Sequence, residues 1–203
     1  MRLKTSPFAL SVVAFGMFAS LHDIVAAELS IKIQKKYLNL PILHLQDLAR
    51  ITIRIVDPPD LTLVLRLVPE KADYWVFQDV SDLKGKIVTI NYEGDEAGLN
   101  KLYQDYKKAG QVSLYRERNL PQFHFTTRRG WINDPNGLIY HNGEYHLLYQ
   151  HNPCEREWQN MHWRRAVSIN LIHCQELRIV ISQNQLGIIF SGSVDIDYEN
   201  TAG

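Results

Sequence analysis

The chain has 203 residues, 45% of them hydrophobic and 22% charged, a balance that suits one large globular domain or two small ones. Lys and Arg together number 22 and Asp and Glu 22, with no basic block, so the electrostatic footprint of a nucleic-acid partner is absent. Ten Tyr, seven Phe and four Trp leave aromatic side chains to fill β cores or to stack on sugars.

Residues 1–27 read as an address. Arg2 and Lys4 precede the apolar run FALSVVAFGMFASL, and small residues end at Ala27, the order of a secretory signal. At about 14 residues the run is shorter than the roughly 20 a membrane span needs. The expectation is an exported chain, periplasmic, surface-bound or extracellular, starting near Glu28 and keeping no stable membrane span after cleavage. Residues 28–94 then alternate with period two. In ARITIRIVD, Ile51, Ile53 and Ile55 share one face and Thr52 and Arg54 the other. Runs of this kind, separated by PEKAD and SDLKG, predict a β-sandwich-like domain. No catalytic motif stands in it, and lone acids such as Asp73 and Asp79 read as turn or surface residues.

Residues 95–120 are polar and charged, and predict a connector that is partly helical around LNKLYQDYKKA. Over 121–203 the β pattern returns. GLIYHNGEYHLLYQ predicts a hairpin, because Asn142 and Gly143 both tolerate positive φ. Further strands are predicted at MHWRRAVSI and at GIIFSGSVDID, the short antiparallel repertoire of propeller blades or a barrel. Cys154 and Cys174 are too few for a disulfide framework and lack histidines at metal-ligand spacing, so two free thiols are expected.

The heptad WINDPNG places Asp134 among two asparagines, a proline and a glycine. Such residues favour a turn on their own account. A rigid turn is equally what a catalytic carboxylate requires.

Four motifs, WINDPNG, YHLLYQHNP, WQNMHWRRAVS and FSGS, follow one another in the order and approximate spacing of glycoside hydrolase family 32. The chain resembles that family of invertases, levanases and inulinases, and its upstream β region resembles an accessory domain. The resemblance implies an all-β protein in which the sandwich-like domain precedes the first one to two blades of a five-bladed β-propeller. It implies hydrolysis of β-fructosidic bonds in levan, inulin or sucrose by a retaining mechanism, with Asp134 as nucleophile. By the same correspondence Asn133 hydrogen-bonds the fructosyl ring, Gln150 and Trp158 line its subsite, and Ser191 adds a polar contact. The two-carboxylate mechanism needs neither metal nor organic cofactor.

The sequence also departs from the family. Its acid/base, a Glu beside a Cys, and its Arg-Asp-Pro segment do not occur before Gly203. The one acid beside a cysteine, Glu155, follows Cys154 in the reverse order. At roughly 40–50 residues per blade, residues 121–203 hold about two. WRRA replaces Trp-Gly-His-Ala, and the pair Arg164 and Arg165 is expected to burden the blade core with unpaired charge. The expected chain is thus a truncated fructan hydrolase by lineage with impaired hydrolysis, or alternatively a non-catalytic fructan-binding module or an inert relic.

Overall fold

The computed structural model describes residues 26–55, 60–184 and 186–201. The export signal expected over 1–27 therefore lies outside the described residues as far as residue 25. Among the described residues no helix is long and apolar enough to cross a membrane.

The alternating N-terminal runs become β1 (Ala27–Lys32), β2 (Tyr37–Ile42), β3 (Ala49–Arg54), β4 (Leu61–Leu65), β5 (Tyr74–Asp79) and β6 (Ile87–Tyr92). They form antiparallel sheets in the orders β1-β6-β3-β4 and β5-β2, and the second gains β7 (Tyr103–Asp105). Period-two patterning sends one face of β3, β4 and β6 inward, while β2 is buried from Leu38 to Ile42. Ile51 and Ile53 of β3, Leu63 and Leu65 of β4, and Val88 and Ile90 of β6 meet Leu38, Leu40 and Val76 of the other sheet in one core. This is the β-sandwich that the sequence predicted.

The segment expected to be a partly helical connector is bound into that sandwich. Its only α-helical turn among the described residues is α1 (Glu96–Leu99), capped by Asp95, whose carboxylate accepts from Ala97 N at 2.9 Å. β7 then pairs with β2, Gln104 opposite Leu38, and the fully buried Asn39 accepts from Ala109 N at 2.8 Å. Three residues of strand are too few to show a period, and the lysines around them suggested solvent.

The second half is an antiparallel meander: β8 (Trp131–His141), β9 (Glu144–Asn152), β10 (His162–Ser168) and β11 (Gln175–Ile181), in the order β11-β10-β9-β8. Asn142 and Gly143 join β8 to β9 with φ of 51° and 83°, the tight hairpin that Asn-Gly favours. Four antiparallel strands make the unit of one propeller blade.

Two expectations are corrected here. GIIFSGSVDID forms no strand; it crosses the sheet as irregular chain, with Ile189 N donating to Met161 O at 3.1 Å and Trp163 Nε1 to Phe190 O at 3.0 Å. Gly192 lies close against the Trp163 indole, and Gly137 lies against Val194, whose side chain a Cβ there would meet at 2.5 Å. Nor is Arg164 unpaired. Glu176 of β11, itself buried, approaches Arg164 Nε to 2.8 Å and accepts at its other oxygen from Arg128 N at 2.7 Å and Tyr115 OH at 3.0 Å. Arg165 keeps a buried Nε without a partner among the described residues. Both cysteines are free, Cys154 buried and Cys174 exposed.

Candidate functional site

The carboxylate of interest is presented by a defect in the β8–β9 ladder. Ile132 opposes His151, Pro135 opposes Tyr149 and Gly137 opposes Leu148, with a register shift at each interval. Such bulges bend a strand and re-aim its side chains. β8 is an edge strand, which together with the bulges makes Pro135 tolerable. Asp134 sits exposed at the crest.

Beneath it the support is aromatic and uncharged. Tyr149 is buried opposite Pro135, with Phe125 edge-on at 5.1 Å and His151 at 6.0 Å between ring centroids. His151 Nε2 lies 2.8 Å from Arg129 O and 3.2 Å from Thr127 Oγ1, while its Nδ1 is buried without a partner among the described residues. Because a carbonyl can only accept, the proton belongs on Nε2. Burial, reinforced by the charge of Arg164, lowers the His151 pKa to about 3, and burial lowers that of His162 to about 4. Both imidazoles are neutral at physiological pH.

The irregular Ile189–Ser191 segment collects the side chains that the motifs singled out. Ser191 Oγ donates to Asp134 Oδ2 at 2.6 Å. Gln150, buried on β9, donates from Nε2 to Ile189 O at 2.8 Å and holds a buried Oε1 with no partner among the described residues. Trp158, 49% exposed, lies tilted beside Phe190 with ring centroids 6.3 Å apart. Asn133 stands apart from this group, its Oδ1 accepting from the Trp131 indole at 3.2 Å.

Two residues escaped the sequence reading. Phe190 falls in the stretch GIIFSGSVDID, expected to be a strand, yet it is exposed and extends the Trp158 surface. Asn136 looked like a turn former, yet it is buried with neither side-chain polar atom partnered among the described residues. Both stand inside quoted motifs, so position next to Ser191 and Asp134 was the available signal.

The result is an exposed carboxylate steadied by a hydroxyl, beside an aromatic ledge and two buried amides. It offers hydrogen-bond acceptors and donors for hydroxyls, an apolar surface for C–H faces, and an oxygen nucleophile at the rim. A cleft of 990 Å³ lies elsewhere, lined by Phe77, Lys108, Arg178 and Val180 among others, and none of Asp134, Asn133, Gln150, Trp158 or Ser191 lines it.

Comparison with known proteins bears on these residues. Residues 124–202 match the model of the glycosyl hydrolases family 32 N-terminal domain. A levanase of Bacillus subtilis is 45% identical over 95 residues, covering 47% of this chain and 14% of the levanase. An extracellular exo-inulinase of Aspergillus awamori is 44% identical over 87 residues, covering 40% of this chain and 16% of its own. The crystal structure of exo-inulinase from Aspergillus awamori superposes with a TM-score of 0.38 at 41% identity, over 43% of this chain and 18% of that one. The chain thus spans less than a fifth of the length of each of these relatives.

Proposed function

Residues 124–202 belong to glycoside hydrolase family 32, and on that premise we propose that this half of the chain supplies the nucleophile and part of the fructosyl subsite of a retaining β-fructosidase acting on levan, inulin or sucrose. The observation that carries the reading is the Ser191–Asp134 hydrogen bond at the crest of the β8 bulge, which joins two motifs 57 residues apart. Asp134 is the nucleophile. Ser191 orients it, the Gln150 amide addresses ring hydroxyls, and Trp158 with Phe190 offers the sugar an apolar face.

Retaining hydrolysis needs a second, protonated carboxyl group roughly 5–5.5 Å from the first. The one acid beside a cysteine, Glu155, faces the sandwich and binds Arg66 at 2.8 Å, so it is committed elsewhere. The purified chain therefore binds fructosides and hydrolyses them feebly or not at all. It acts outside the cytoplasm, delivered by the signal read in residues 1–27.

Calorimetric titration with inulotriose, together with a fructose-release assay on inulin, levan and sucrose, tests this reading. Binding weakened by Trp158→Ala, without fructose release, is expected. Absence of binding would overturn the subsite, and fructose release abolished by Asp134→Asn would overturn the impaired chemistry.

A further inference from the structure

β4 is an edge of its sheet, and the unpaired main-chain groups of an edge strand recur at every second residue. Side chains of the second half take these groups in turn. Gln183 Nε2 donates to Thr62 O. Asn160 accepts from Val64 N at 2.7 Å and donates to Val64 O at 2.7 Å, its carboxamide imitating the peptide of a neighbouring strand. Glu155 Oε1 accepts from Arg66 N at 3.1 Å. Side chains thus take Thr62 O, both main-chain groups of Val64 and Arg66 N, while Arg66 O accepts from Leu43 N at 3.1 Å.

Two of these three side chains flank the same loop. Glu155 is 1% exposed, and its other oxygen takes Arg66 Nη1 at 2.8 Å and Tyr74 OH at 3.3 Å. Asn160 is 3% exposed with φ of 46°, a conformation Asn tolerates better than most residues, and its Nδ2 also reaches Asn152 Oδ1 at 3.2 Å. Asn152 Oδ1 in turn accepts from Cys154 N and Glu155 N, and Cys154 is buried in the sandwich core and takes a hydrogen bond from Gln78. Between the anchors the loop turns outward: Arg156, Glu157 and Trp158 are exposed. Burying an ion pair brings little net stability against an apolar alternative. What it fixes here is where the loop lies.

We propose that the N-terminal sandwich is the positioning scaffold for Trp158, with Asn160, Glu155 and Arg66 as positioning residues that hold the 153–160 loop against the β4 edge and so set affinity for the fructosyl ring. The proposal rests on the fructosidase reading above. It gives the sandwich a part in the site although it supplies no residue that touches the sugar.

The test uses the full chain and three readouts: inulotriose affinity, iodide quenching of Trp158 taken as the difference from Trp158→Phe, and amide hydrogen exchange over 153–160. Arg66→Met is expected to weaken inulotriose binding about tenfold, equivalent to ~1.4 kcal/mol. It should also raise Trp158 quenching and speed exchange in the loop, while β2 and β5 stay protected. Arg66→Met/Glu155→Gln removes the stranded charge, so its melting temperature recovers while affinity stays low. A merely structural role would restore both together, and that result overturns the proposal, as does unchanged affinity in a folded Arg66→Met. Should Arg66→Met fail to fold, the double variant alone decides by the same affinity criterion. Should the parent chain bind no inulotriose, the fructoside reading fails by itself; quenching and exchange then decide, and no change in either overturns the scaffold.

Discussion

Acidification to pH 5 should unlock the floor of the candidate site. His151 and His162 are buried and neutral, with pKa values lowered to about 3 and about 4, whereas an unfolded histidine titrates near 6.5. Between those values the unfolded chain binds more protons than the folded one, so stability rises with pH and is lost as pH falls below roughly 6.5. At pH 5 each histidine forfeits about 2 kcal/mol, because the unfolded imidazole is almost fully protonated and the folded one is not. The pair together costs about 4 kcal/mol, a large share of the roughly 5–15 kcal/mol of a typical domain. The new proton on His151 would fall on Nδ1, which has no acceptor among the described residues, beside the cation of Arg164. Burial raises the Glu155 pKa, so its protonation on acidification works the other way and blunts the total. Urea unfolding at pH 7 and pH 5, repeated on His151→Gln, isolates the effect: the parent should lose more stability than the variant by about 2 kcal/mol. Equal losses would refute the assignment of a buried neutral imidazole.

Other perturbations read different parts of the structure. Glu176→Ala strands Arg164 and should cost about 3–5 kcal/mol in urea unfolding, largely recovered in the Glu176→Ala/Arg164→Met double variant. Gly137→Ala drives a methyl to within 2.5 Å of the Val194 side chain, and a loss of about 1–3 kcal/mol is expected, relieved by Val194→Ala. Ser191→Ala removes the hydroxyl from Asp134 and should weaken inulotriose binding about threefold to tenfold with little change in melting temperature, since the pair is exposed.

β3, β4 and β6 were legible because each is five or six residues of alternating pattern, long enough for the two faces to declare themselves. The β8–β9 hairpin was legible from Asn142 and Gly143 alone. β7 was not, since three residues between lysines carry no period and its place is set by β2 and Asn39, far away in sequence. Arg164 looked like a defect because a sequence does not reveal that Glu176 lies across the strand from it. In the candidate site, WINDPNG and FSGS named Asp134 and Ser191, which the fold brings together. Asn133 was named on the same footing, but its amide turns to Trp131. Phe190 and Asn136 depend on which face a short irregular stretch exposes, and no local pattern records that.

The two register shifts in β8 make the length of WINDPNG a mechanical quantity. From Ile132 to Gly137 the chain takes five steps, while β9 takes three from His151 to Leu148, so two residues are surplus to the ladder. Because side chains alternate, removing one residue from that interval reverses the facing of everything between the point of loss and the next bulge. Asp134 could keep its identity and every neighbour in sequence, yet face the Tyr149 layer instead of Ser191. Homologous stretches should therefore accept substitution between Ile132 and Gly137 far more readily than any change in count.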